Sequence, residues 1–203
     1  MARGIFGGSF DPIHVGHVAL ATGALRARGL ERVSLIPAGR PPHKKTGCVA
    51  SFADRLEMVR LAVEGCHGLD VLDLEGRRPG RSYSIDTVEA LQAEHPGVEW
   101  ELLVGADMLE DLPRWRRASE LVVRVQVVAF GRPDADTERA RAAFLAAFPG
   151  HEAAFLELPL VDASGTAIRR RLGEALPVEG LVSPKVQRYV RDKGLYGAGP
   201  KKG

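Results

Sequence analysis

The sequence predicts an α/β protein, a Rossmann-like, doubly wound, mostly parallel sheet with helices on both faces and a small C-terminal helical segment. Three observations carry that expectation. Short apolar runs of strand length alternate with helical stretches along the chain. A paired-glycine turn, Gly7-Gly8, falls where the first such run gives way to the first helix. A further glycine, Gly105, closes an apolar run near the middle of the chain, and sheets of this kind bind ligands at the carboxyl ends of their strands.

Taken in order, Arg3 to Phe6 form the first strand and Val15 to Arg28 the first helix, with the Gly7 to His14 loop between them. Val33 to Ile36 is the second strand, followed by a proline- and glycine-rich loop from Pro37 to Val49. Ser51 then caps a helix, with Asp54 three residues on in a variant capping box, Leu56, Val59, Leu61 and Val63 supplying apolar content, and Gly65 ending it. Leu69 to Leu74 is a third strand. Ser84 to Glu94 is a helix with Ile85, Val88 and Leu91 toward the sheet, and Glu99 to Val104 is a central strand whose end carries Gly105 and Asp107. Val125 to Phe130 and Ala153 to Leu158 are strands around a helix from Thr137 to Phe148. Two late helices begin near Thr166 and Ser183; Ser183 can cap, Pro184 suits the first helical position and Gly194 stops the second. The expected organisation is one domain over residues 1–196, with 164–196 as its helical segment and a disordered tail over 197–203. No repeat of solenoid period occurs.

Composition narrows the functional classes. A chain of 203 residues can bury a substantial core, and 45% hydrophobic with 27% charged residues is ordinary for a globular enzyme. No apolar stretch approaches the ~20 residues of a membrane span, and the opening residues run into a strand without a signal-peptide pattern, so no membrane partner and a cytoplasmic location are expected. Cys48 and Cys66 lack metal spacing and are expected as free thiols. The net charge of +2, with short basic runs at Arg169 to Arg171 and Lys201-Lys202, gives no stacking platform for nucleic acid. A homo-oligomer stays open. The chain has no asparagine, three glutamines, and 22 arginines against 6 lysines, which fits a heat-adapted source and a coding bias equally well. The six histidines, His14, His17, His43, His67, His95 and His151, form no structural-zinc pattern, so no protein-held metal is expected.

The run Gly7-Gly8-Ser9-Phe10-Asp11-Pro12-Ile13-His14-Val15-Gly16-His17 is built to hold phosphate. A helix start presents unpaired amides and a positive dipole end, and paired glycines let the backbone approach an anion closely. With His14 to His17 as the first helical turn, both imidazoles share one side. A glycine turn or a histidine alone is more often structural; their conjunction carries the reading. The run matches neither the Gly-x-Gly-x-x-Gly nor the Gly-Lys-Ser/Thr phosphate loops.

This run resembles the signature of the nucleotidyltransferase superfamily with its His-x-Gly-His motif. Further segments are similar to those of the bacterial nicotinate-nucleotide adenylyltransferase family: Pro41-Pro42-His43-Lys44, Ser82-Tyr83-Ser84-Ile85-Asp86-Thr87, Gly105-Ala106-Asp107 and Ser164-Gly165-Thr166-Ala167-Ile168-Arg169. The resemblance covers roughly residues 3–196. Ser84 stands where the family usually has threonine, and Gly165 where it has a second serine, which removes one phosphate hydrogen bond.

The resemblance implies transfer of an adenylyl group from ATP, arriving with Mg²⁺, to nicotinate mononucleotide, giving nicotinate adenine dinucleotide and pyrophosphate. It implies catalytic roles for His14, His17, Lys44 and Arg169. Gly7, Gly8, Ser9 and Phe10 would cradle phosphate, with Gly105, Asp107, Ser164, Thr166 and Ile168 completing the ATP site. Tyr83, Ser84, Thr87 and the flat face of Trp115 would receive the nicotinate half. A transferase for nicotinamide mononucleotide or phosphopantetheine, a cytidylyl branch, and a non-catalytic nucleotide-binding protein are the alternatives.

Overall fold

The structure is a computed structural model and describes residues 1–41, 47–131, 135–158 and 163–199. Among these, the strands are β1 (Ala2–Gly8), β2 (Arg32–Pro37), β3 (Leu69–Val71), β4 (Glu99–Gly105), β5 (Gln126–Phe130) and β6 (Ala154–Leu156). They form one sheet in the order β3-β2-β1-β4-β5-β6, every neighbouring pair parallel. The chain runs outward from β1 through β2 to β3, then crosses back to lay β4 on the other side of β1. That reversal opens a crevice beyond the carboxyl ends of β1 and β4, where Gly7-Gly8 and Gly105 lie.

The helices are α1 (Val15–Ala27), α2 (Phe52–Val63), α3 (Leu74–Arg77), α4 (Ser84–Glu94), α5 (Ala106–Asp111), α6 (Ala118–Arg124), α7 (Ala135–Ala147), α8 (Gly165–Gly173) and α9 (Pro184–Asp192). Side chains alternate across each strand, so the sheet feeds two cores. On one face Phe6, Leu35, Leu103 and Val128 pack with residues of α1, α2, α8 and α9. On the other, Ile5, Ile36, Leu102 and Val104 pack with residues of α4, α5, α6 and α7. The C-terminal helices therefore cover the same core as α1 and α2.

The capping signals act as expected. Ser51 Oγ accepts the Asp54 amide at 3.1 Å and Ser183 Oγ that of Val186 at 3.3 Å, with Pro184 in the first helical position; Ser164, not read as a cap from the sequence, likewise accepts the Ala167 amide at 3.2 Å. Two expectations need correction. The strand read over 69–74 ends at Val71, because this edge strand pairs only with Val33 to Leu35 and the chain then leaves the sheet, turning into α3. The strand read over 153–158 is likewise cut to 154–156 at the opposite edge. Ala198 packs against the first core, and residues 200–203 lie outside the described residues. Cys48 and Cys66 are free thiols, and no described helix is long and apolar enough to cross a membrane.

Candidate active site

At the end of β1 the chain makes the turn that the sequence run implied, and tertiary contacts hold it from three sides. Phe10 has a left-handed φ of +44° and its side chain is 1% exposed, tucked beneath Gly8. A Cβ at residue 8 would fall 2.9 Å from the Phe10 ring, so the turn needs glycine there. From α2, the Arg55 guanidinium, 1% exposed, donates to the Ser9 carbonyl and to the Ala38 carbonyl, each at 2.7 Å. The buried Asp11 carboxylate accepts the amides of Val49 at 2.7 Å and Ala50 at 3.1 Å, and the Tyr196 hydroxyl at 2.8 Å. Arg169, from α8, donates to the Asp11 carbonyl at 2.6 Å and to Thr166 Oγ1 at 3.2 Å. Gly165 has a steric reason: a Cβ there would lie 3.2 Å from that carbonyl and crowd the approach of α8 to the loop.

Sequence reasoning missed Arg55, Asp11 and Tyr196 as the residues that set this loop. Arg55 carried a signal, since it stands in the i, i+4 row with Val59 and Val63, on the buried face of α2. An arginine in that register has to find carbonyls or acids inside the protein.

His14 and His17 open α1 with their rings stacked, centroids 3.6 Å apart and 25° between planes. The His14 amide donates to His17 Nδ1 at 3.2 Å, which leaves the proton of the neutral His17 ring on Nε2. Phe6 and Phe10 meet the His17 ring edge-on. Burial pushes the His14 imidazole down to about 4; burial and then the neighbouring His14 charge push His17 down to about 3. Both rings are thus neutral at pH 7 in the free protein, each carrying one N–H rather than a standing charge.

The same shifts fix a pH dependence. Both pKa values lie below the unfolded value near 6.5, so the unfolded chain binds more protons between about pH 4 and pH 6.5. The stabilisation is present above pH 6.5 and is lost as pH falls toward 4. Urea melts over pH 4.5–7.5 are expected to show wild-type stability declining on acidification, with a shallower decline for His14→Asn; parallel slopes would contradict the assignment.

On the other side of Gly7, Gly8 and Ser9 lies a cavity of about 450 Å³ lined by Tyr83, Ser84 and Trp115. α4 begins at its wall, where the amides of Ser84 and Ile85 have no carbonyl to meet within the helix. Ser82 Oγ accepts the amides of Gly39 at 3.0 Å and Arg40 at 3.1 Å, which holds the start of the loop after β2 against this wall. Gly105 ends β4, and Asp107 is exposed in the first turn of α5.

Two expected contacts move away from the crevice. Thr87 is 2% exposed and its hydroxyl is engaged by Glu75, at 2.9 Å, and by Arg78, so it braces α3 against α4. Ile168 is fully buried in the core beneath α8 and its amide is bound to the Ser164 carbonyl, leaving neither for a ligand. Lys44, with Pro42 and His43, lies outside the described residues. Among the described residues, no group of three or more His, Cys, Asp or Glu side chains could hold a metal ion.

The chain matches the cytidylyltransferase-like family over residues 5–171. It is 40% identical over 198 residues to a protein of Gloeobacter violaceus named "Probable nicotinate-nucleotide adenylyltransferase", covering 95% of each chain. A protein of the same name from Halalkalibacterium halodurans is 38% identical over 195 residues, covering 95% of this chain and 90% of that one. Its fold is similar to that of the Plasmodium falciparum nicotinic acid mononucleotide adenylyltransferase complexed with NaAD, at TM-score 0.77 and 18% identity over 97% of both chains. The same Plasmodium enzyme complexed with APC gives a TM-score of 0.76 at 17% identity, again over 97% of both chains.

Proposed function

The chain belongs to the cytidylyltransferase-like family and, within it, to the nicotinate-nucleotide adenylyltransferases, and on that premise we propose how its residues serve adenylyl transfer. The enzyme uses ATP. A phosphate oxygen of nicotinate mononucleotide attacks the α-phosphorus of ATP, the bond from that phosphorus to the β-phosphate oxygen breaks, and nicotinate adenine dinucleotide and pyrophosphate result. No side chain has to act as nucleophile. The protein's task is to align two anions and to stabilise charge on the transferring group.

His17 Nε2–H donates to the phosphate oxygens, aimed by the bond that its Nδ1 accepts from the His14 amide. His14 stands beside it, and bound phosphate would draw either ring toward its charged form. The amides of the Gly8 to Phe10 turn form the cradle. Arg169 carries positive charge to the same loop with Ser164 and Thr166, on the side of the leaving pyrophosphate. Lys44 is assigned as a second cation from the loop after β2. Magnesium, brought with ATP, would neutralise charge on the phosphates there. Asp107 is left to orient a ligand hydroxyl. A cytoplasmic setting and small-molecule partners belong to the same reading.

The single observation that carries the proposal is the crevice between β1 and β4, with the pinned His17 donor at the start of α1 and the Trp115 cavity across Gly7 to Ser9. It is tested by comparing nicotinate mononucleotide, nicotinamide mononucleotide and phosphopantetheine at fixed ATP and magnesium. The acid is expected to exceed the amide by at least ~10-fold in kcat/KM, since amide donors at the start of α4 satisfy a carboxylate and oppose an NH₂ group, a mismatch of about 1–3 kcal/mol. Equal rates, or faster turnover of phosphopantetheine, would overturn the substrate assignment.

A further inference from the structure

Resting on the adenylyltransferase reading, we propose that Arg116 is the side chain that recognises the carboxylate of the pyridine ring and so sets the preference for the acid mononucleotide. Three arginines flank Trp115, and their surroundings differ. Arg114 pairs with Asp111 at 2.9 Å. Arg117, whose left-handed φ of +53° turns the chain into α6, is held by Glu89 at 2.8 Å and Glu120 at 2.7 Å. Arg116 makes no ion pair among the described residues; its guanidinium lies over the Tyr83 ring, 4.7 Å from the centroid.

Arg116, Tyr83 and Trp115 all line the cavity of about 450 Å³. A guanidinium resting on an aromatic face keeps its N–H edges free for a planar anion, and its fork matches a carboxylate in two parallel hydrogen bonds. A carboxamide offers that fork one oxygen and one opposing NH₂ donor. A pyridine ring beside Trp115 would carry its carboxylate on the same wall as Arg116, so the lining cation that has no carboxylate partner among the described residues discriminates at the one group in which the two mononucleotides differ. It also adds what the free amides at the start of α4 lack, which is a net positive charge.

The test uses the full chain with Arg116→Gln and Arg116→Lys, measuring kcat/KM for both mononucleotides at saturating ATP and magnesium, and the KM for ATP. Arg116→Gln is expected to lower kcat/KM for nicotinate mononucleotide about tenfold, mainly through KM, while changing the amide substrate less than about twofold and leaving the KM for ATP alone. Arg116→Lys is expected to restore part of the loss. Equal losses on the two mononucleotides would place Arg116 on their shared phosphate, a change confined to ATP would place it on the polyphosphate, and an unchanged acid-to-amide ratio would leave it a surface residue; each overturns the proposal. Binding of each mononucleotide followed by tryptophan fluorescence needs no turnover. If the wild-type chain made no dinucleotide, the adenylyltransferase reading would fall, while a binding preference for the acid that Arg116→Gln lowers about tenfold would still support the Arg116 assignment, and an unchanged preference would sink it.

Discussion

Replacing His17 with alanine is expected to lower turnover by ~100-fold or more, the size typical of losing one aimed donor to a charge that develops in the transition state. The ring is held in one orientation. Its Nδ1 takes the His14 amide at 3.2 Å, and Phe6 and Phe10 wall it edge-on, so Nε2–H cannot swing away from the crevice. The low pKa of about 3 means that the donor is a neutral imidazole before substrate arrives. A thermal melt recorded beside the kinetics separates chemistry from folding: the variant should melt within several degrees of the wild type. A fully active His17→Ala enzyme would remove His17 from the mechanism.

The largest stability effect is expected at Arg55. Arg55→Met keeps much of the buried volume but strips donors from the Ser9 and Ala38 carbonyls, each held at 2.7 Å. Two part-buried carbonyls losing a charged donor cost about 3 kcal/mol together, which for a chain of this size lowers Tm by roughly 6–12 °C. Because Ser9 is assigned to the proposed phosphate cradle, the KM for ATP is expected to rise in the folded variant as well. Calorimetry and ATP titration check both parts; a variant that melts with the wild type would show that water satisfies these carbonyls and that Arg55 does not set the loop.

The sheet and the turn after β1 were legible in the sequence because both are local: apolar runs of strand length, serines at helix starts and a glycine turn before paired histidines. The Ser84–Glu94 helix was read with its bounds intact, since Ile85, Val88 and Leu91 mark one face. Helices α5 and α6, with six and seven residues, were missed because neither repeats the helical period often enough to show it. The site was harder where a residue's role depends on partners far along the chain. Asp11 meets Tyr196 across 185 positions, and nothing local in either residue announces the bond. Thr87 shows the converse. Within its motif it reads as a substrate contact, yet Glu75 claims its hydroxyl from a segment that was read as following a strand.

The central claim is that the adenylyl group of ATP, carrying its α-phosphorus, moves to the phosphate of nicotinate mononucleotide. Its most direct test is to incubate the protein with that mononucleotide and magnesium in two parallel reactions, one with ATP labelled at the α-phosphorus and one with ATP labelled at the γ-phosphorus, and to follow where each label goes. The account predicts α-label in nicotinate adenine dinucleotide, γ-label in pyrophosphate, and the two products in equal amounts. Release of γ-label as inorganic phosphate with the α-label left in ADP would contradict it, and would make the crevice between β1 and β4 a site for a different phosphoryl transfer.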